Sequence, residues 1–167
     1  MRDEIVEVMV KCKTNIGLMI LRIILFVLCA LSVLLSSAMR SGGILLFILA
    51  VILGAAGYFA GSYSQVEYEY GYCEKEIDID AIYSQSRRKH IMTLQLDKME
   101  AIVRVHGDKW GEFKNRTVVT KDFTSHDKAN ADKVYAIFYD SGLKILIEPG
   151  DKLLDVIGYF SPRKIFR

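Results

Sequence analysis

The alternation of apolar and polar positions changes period along the chain. From Ile16 to Met39 it is apolar apart from Arg22 and a few Ser and Gly residues, and from Gly43 to Tyr63 it carries no charge at all. A stretch of about 20 apolar residues is long enough to cross a hydrocarbon core as a helix, so the pattern predicts two transmembrane helices over 16–39 and 43–63. Only Arg40, Ser41 and Gly42 separate them. So short a link makes the helices an antiparallel hairpin.

Before the first span, Ile5, Val8, Met9 and Cys12 recur at i, i+3, i+4 and i+7. Asp3 and Glu4 stand at one end and Lys11 and Lys13 at the other, as a helix dipole prefers. This predicts a short amphipathic helix in a segment covering residues 1–15, against a competing strand alternation of Val6, Val8 and Val10.

From Val66 the period is two. Val66, Tyr68, Tyr70 and Tyr72 alternate with Glu67, Glu69, Gly71 and Cys73, and Ile77, Ile79 and Ala81 alternate with Asp78 and Asp80. A turn at Glu74-Lys75 puts the apolar sets of both strands on one face. A turn at Asp97-Lys98 would likewise pair Leu96 with Met99, Leu94 with Ala101 and Met92 with Val103. One at Ser141-Gly142 would pair Phe138 with Ile145 and Ala136 with Ile147, in a hairpin apolar on both faces. Residues 107–133 show no clear period; Val118 and Val119 suit a short strand there, and Trp110 and Phe123 suit anchors over a core. After Pro149 a helical stripe of Leu153, Leu154, Ile157 and Phe160 returns. The expected fold class is a membrane α-helical hairpin (16–63) plus a mainly-β soluble domain (64–167). That domain reads as a bent β sandwich or partial barrel of about six or seven antiparallel strands with a C-terminal helix.

Within the second span Ala50, Gly54, Gly57 and Gly61 share one helical face, and in the first Cys29, Ser32 and Ser36 do the same. Small residues let helix backbones approach closely in lipid, so Ala50, Gly54, Gly57 and Gly61 are the candidate helix-packing residues. Their nearest customer is the partner helix of the same chain, and a homo-oligomer would be the other use of that face. Arg22, two turns inside its span, reads as snorkelling to the nearby interface, and Tyr58, Phe59 and Tyr63 suit an aromatic belt.

Charge refines the picture. Of 22 basic residues five (Arg2, Lys11, Lys13, Arg22, Arg40) precede Gln65, and of 20 acidic ones only three (Asp3, Glu4, Glu7), which leaves 17 of each sign interspersed beyond it. That balance gives no phosphate-tracking groove, so no nucleic acid is expected as a partner. Arg2, Lys11, Lys13 and Arg22 flank the start of the first span and the connecting loop has only Arg40. The positive-inside bias therefore predicts a multi-pass cell-membrane protein with both termini cytoplasmic. The long, acid-containing region before the first span reads against signal-peptide cleavage after Ser36-Ser37-Ala38.

Chemistry is sparse. Cys12, Cys29 and Cys73 have neither zinc-site nor disulfide-framework spacing. His90, His106 and His126 are scattered, and Asp78 with Asp80 reads as a solvated strand face. No phosphate-cradling loop or nucleophile elbow is present, so no enzyme, cofactor or metal is expected. One cluster remains, the basic run Arg87, Arg88 and Lys89, which with Arg163, Lys164 and Arg167 is placed to meet anionic headgroups.

The two helices, Val66-Glu67-Tyr68-Glu69-Tyr70, Glu76-Ile77-Asp78-Ile79-Asp80-Ala81-Ile82-Tyr83, Arg87-Arg88-Lys89, Glu148-Pro149 and Pro162-Arg163-Lys164 together resemble a family of small bacterial two-helix membrane proteins. Its soluble part is similar to pleckstrin-homology-like domains, and the usual Gly of the first hairpin turn is absent here. The family has no established activity, so the resemblance implies architecture. The expected function is a non-enzymatic membrane-anchored adaptor whose domain docks on anionic lipid or on a membrane-protein partner. The alternative is an accessory subunit of a transporter or envelope complex, assembled through the helices.

Overall fold

The computed structural model describes residues 6–39, 43–116, 118–140 and 142–166. They form two compact units, one of residues 14–66 with 83–86, the other of the remaining chain. The expectations for Asp3, Glu4 and Ile5, the Arg40-Ser41-Gly42 link, Ser141 and Arg167 lie outside the described residues.

The helical unit holds α1 (Ile16–Ala38) and α2 (Gly43–Ser64). Asn15 caps α1, its side chain accepting from the Leu18 amide at 3.3 Å, which satisfies one orphan donor of the first turn. Both helices are long and apolar enough to cross a membrane. Their buried residues are Ser32 on α1 and Ala50, Gly57, Gly61 and Ser64 on α2, while the large Ile, Leu, Val and Phe side chains point outward. That inverts the pattern of a water-soluble helix pair. A turn at Tyr83–Ser86 belongs to the same unit. Ser84 donates its amide to the Gln65 carbonyl (3.0 Å) and its hydroxyl to the Ser62 carbonyl (3.2 Å), and the Tyr63 and Tyr83 rings meet edge to face. The Asn15 amide donates to the Ser64 carbonyl (3.1 Å), tying the start of α1 to the end of α2.

In the β unit one sheet has the order β1-β2-β3-β4, formed by Val6–Lys11, Val66–Cys73, Glu76–Tyr83 and Arg87–Gln95. The second comprises β5 (Met99–Arg104), β6 (Val119–Asp122), β7 (Tyr135–Tyr139), β8 (Leu143–Ile147) and β9 (Ile165–Phe166), in the order β6-β8-β7-β5-β9. A single turn of helix, α3 (Trp110–Phe113), and the longer α4 (Gly150–Phe160) complete it. The core between the sheets contains Tyr70, Ile77, Ile79 and Leu94 from the first, Ile102, Ile137, Ile145 and Ile147 from the second, and Leu153, Leu154 and Ile157 from α4.

The expected six or seven antiparallel strands are nine among the described residues, with β9 parallel to β5 and β6 parallel to β8, and three further expectations are corrected. Residues 6–11 are a strand and not an amphipathic helix: β1 runs antiparallel to β2, with Val6, Val8 and Val10 opposite Tyr72, Tyr70 and Tyr68. Cross-strand packing decides here, because the sequence carries both periods and only the ladder gives the valines aromatic partners. The Asp97-Lys98 hairpin is instead a corner. Leu96–Lys98 forms a 3₁₀ turn that carries the chain from the first sheet to the second, where β5 pairs with β7 and β9. A hairpin and a corner place the same apolar residues inward, so parity does not separate them. In the last hairpin Ile137 faces Ile145 and Tyr135 faces Ile147, one residue out of the expected register, and the last pair is Tyr139 with Leu143. β7 is buried on both faces, its Ala136 and Phe138 joining a second apolar cluster with Trp110 and Phe113; without a polar face, hydrophobic pattern cannot fix its register. Phe123 packs in the main core against Tyr68.

The β2–β3 connection does turn at Glu74-Lys75, and both residues are left-handed, with φ of 48° and 67°. This is the mirror-image turn that matches strand twist, and it normally uses Asn-Gly. Replacing Glu74→Asn together with Lys75→Gly is expected to raise stability by about 1 kcal/mol, read as a higher unfolding midpoint of the full chain in detergent. An unchanged or lower midpoint would contradict the turn assignment.

Candidate interaction surface

The alternation that buries Tyr70, Ile77 and Ile79 turns Glu67, Glu69, Asp78 and Asp80 outward, and cross-strand partners meet them there. Lys11 on β1 reaches Glu67 (3.7 Å). Arg88 on β4 spans two strands, its Nε on Asp80 (2.7 Å) and its NH2 on Glu69 (2.9 Å), an acid only 7 % exposed. The hydrogen bond to Asp80, then the charge of Glu69, holds the Arg88 guanidinium more firmly protonated than usual. His90 Nδ1 lies 2.8 Å from Asp80, and the Thr93 hydroxyl donates to Asp78 at 2.5 Å. His90 and Thr93 share this face (3.3 Å apart), while Ile91 and Met92 between them both pack against the core. Two consecutive residues on the core side are why simple alternation fails along this strand.

These pairings sort the sequence-derived basic residues. Arg88 is committed to Asp80 and Glu69. Lys164 donates through Nζ to the carbonyls of Leu96 (2.9 Å) and Asp97 (3.2 Å), closing the corner between the sheets. Arg87, Lys89 and Arg163 are exposed and have no ion-pair or hydrogen-bond partner among the described residues. Arg87 and Lys89 directly follow the turn that is hydrogen-bonded to the end of α2. Arg163 follows α4, near Phe160, which stacks on Tyr72; Tyr72 is at the end of β2 away from Glu67, so the structure does not gather the two basic groups into one patch. Asp78 and Asp80 each have cross-strand partners. Among the described residues no group of three His, Cys, Asp or Glu side chains could hold a metal ion.

On α2, the candidate packing residues face α1. A Cβ on Gly57 would lie 3.4 Å from Leu25 Cβ, one on Gly54 3.5 Å from Cys29 Sγ, and one on Gly61 2.9 Å from the Arg22 side chain. Ala50 is 2 % exposed and its carbonyl accepts from Cys29 Sγ at 3.2 Å.

Sequence reasoning missed a polar clasp. Glu148, buried after β8, accepts from both the amide (2.8 Å) and the hydroxyl (2.7 Å) of Ser125. The Tyr70 hydroxyl donates to the Phe123 carbonyl (2.6 Å), and burial raises its pKa far above the usual phenol range. Lys13 donates its amide to the Ser125 carbonyl (2.7 Å), and Cys12 Sγ donates to the Thr124 carbonyl. Burial, then the charges of Glu148, Asp122 and Glu67, push the Cys12 thiol up to about 11. The clasp organises the 123–127 loop and pins the end of β1; only a lone acid among apolar residues marked it in the sequence. On the other face of the second sheet, Arg116 pairs with Glu100 (2.9 Å) and lies over the Phe113 and Phe138 rings, at the rim of a cavity of about 310 Å³ floored by Val118, Phe138 and Leu143.

Two sheets of four and five strands around one core, closed by a C-terminal helix, define a domain of the pleckstrin-homology-like class, here following two long apolar helices. The chain belongs to the family described as a bacterial PH-like domain (DUF6106), which matches residues 2–167. No curated protein and no solved structure matches it.

Replacing Glu148→Ala strands two donors of Ser125 and is expected to cost about 2 kcal/mol, seen as a lower unfolding midpoint, with Glu148→Gln milder. A thiol raised to about 11 is almost wholly protonated at pH 8, and thiolate is the reactive form. Exposed Cys73 should therefore be alkylated by iodoacetamide more than tenfold faster than Cys12, measured by peptide mass spectrometry; equal rates would contradict the clasp.

Proposed function

We propose that the protein is a non-enzymatic, membrane-tethered interaction module. Helices α1 and α2 span the cell membrane, both termini are cytoplasmic, and the PH-like domain docks on the anionic inner leaflet through Arg87 and Lys89. The observation that carries this reading is the turn at Tyr83–Ser86, which is hydrogen-bonded to the end of α2 and leads directly into those two exposed cations. Each basic side chain near an anionic surface contributes about 1 kcal/mol, enough for two of them to bias a domain already tethered to the bilayer. The outward apolar faces of the helices support the span, since exposing so many Leu, Ile and Val side chains to water is unfavourable. Lys11, Lys13 and Arg22 beside the start of α1 support the orientation. Arg88 and Lys164 drop out of the docking set because their charges already serve the domain itself.

A fragment starting at residue 64 would lack β1, so the test uses the full chain in lipid nanodiscs. Acetylation of Lys89 should be at least about threefold slower in discs containing phosphatidylglycerol than in phosphatidylcholine discs, with high salt restoring the rate. Exposed Lys98, in the corner between the sheets, is the internal control. Equal Lys89 rates in both discs would remove the lipid and redirect the search to a protein partner.

A further inference from the structure

Arg22 has no ion-pair partner among the described residues. Residues 14–66 and 83–86, which make up the helical unit, contain no Asp or Glu. The nearest acid along the chain from the end of α2, Glu67, pairs with Lys11. Arg22 stands six residues into α1, roughly 9 Å along the axis from Ile16 at about 1.5 Å per residue. Its side chain lies flat against Gly61 of α2: the position of an added Cβ there is 2.9 Å from Cδ, Nε and NH1 of Arg22. On the other side the guanidinium lies over the Phe26 ring, 5.7 Å from its centroid. The Ser64 hydroxyl donates to the Gly61 carbonyl at 2.7 Å. The exposed Arg22 side chain thus lies over Gly61, where a larger residue would displace it, and its planar fork has no anion among the described residues.

A cation at this depth is costly unless it finds a counter-charge, and a guanidinium matches a phosphate bidentately. We propose that Arg22, lying over Gly61, binds the phosphodiester of an anionic phospholipid in the leaflet around the start of α1 and the end of α2. This rests on the reading that α1 and α2 span the membrane. It is separate from the docking by Arg87 and Lys89, because it lies within the helical unit and needs no contribution from the β unit. Gly61 is then a positioning residue for the guanidinium as well as a packing residue.

The test is native mass spectrometry of the full chain released from micelles with added phosphatidylglycerol or phosphatidylcholine. The wild type should retain phosphatidylglycerol in preference. Arg22→Gln should weaken that binding about tenfold, Gly61→Val should weaken it by displacing the guanidinium, and Arg22→Lys should retain part of it. Phosphatidylglycerol affinity within twofold of wild type in Arg22→Gln would overturn the inference, and so would displacement of the lipid by equal concentrations of inorganic phosphate. Carbonate extraction of membranes separates the two readings. Release of the wild type into the supernatant would overturn the membrane span itself, whereas an unchanged lipid affinity in a variant still held in the pellet would overturn the Arg22 site alone. If Arg22→Gln fails to accumulate, the ratio of phosphatidylglycerol to phosphatidylcholine bound by Arg22→Lys and Gly61→Val decides.

Discussion

The first sheet of the β unit depends on the β1–β2 ladder. Residues 6–11 pair antiparallel with residues 67–72, so that Lys11 stands opposite Glu67 and the chain leaves and re-enters the β unit at neighbouring points. Between those two points lies the entire helical hairpin. The 54 residues between Lys11 and Val66 are therefore topologically the loop of a β-hairpin, and the Asn15–Ser64 hydrogen bond lies within the helical unit near its ends. A loop of that length costs only modest closure entropy when its own ends are held together by packing. Without β1, Tyr68, Tyr70 and Tyr72 would lose their cross-strand valines and β2 would become an open edge.

The same ladder explains how the charges are distributed. Once β1, β2, β3 and β4 bury one face, their alternate residues form a row of acids on the other, and a sheet tolerates such a row only with cations across the strands. Arg88 and Lys11 fill that need; Lys164 fills a different one, satisfying the carbonyls where the chain changes sheets. A cation that satisfies a buried acid such as Glu69 is poorly available to any partner, since withdrawing it would strand the acid. The division between structural and available cations, Arg88 and Lys164 against Arg87, Lys89 and Arg163, follows from pairing and not from composition.

The helical unit follows a different solvent logic. Its large apolar side chains point outward and its small residues inward, with Gly57 against Leu25 and Phe26 and Gly61 against Arg22. Close approach of backbones is what holds helices together where no hydrophobic drive operates. In the lipid setting proposed above, the Arg22 guanidinium is a conspicuous electrostatic feature of the unit, and it lies over Gly61, where a larger side chain would displace it.

By itself the sequence determined whatever depends on a strong local period or a local turn. Two long apolar runs specify α1 and α2, strict alternation with matched parity specifies β2, β3 and their Glu74-Lys75 turn, and the stripe after Pro149 specifies α4. The small-residue face of α2 was equally legible, because helical spacing alone brings Ala50, Gly54, Gly57 and Gly61 into line. Tertiary structure decided wherever two local patterns were compatible with one stretch. Residues 6–11 carry helical and strand periods together, and only Tyr68, Tyr70 and Tyr72 choose between them. The Leu96–Lys98 corner buries the same side chains as a hairpin would, and β7, apolar on both faces, has no polar side to set its register. The commitment of Arg88 to Asp80 and Glu69, and the Glu148–Ser125 clasp, join residues far apart in the chain. Periodicity records which way a side chain points, and says nothing of what waits for it there.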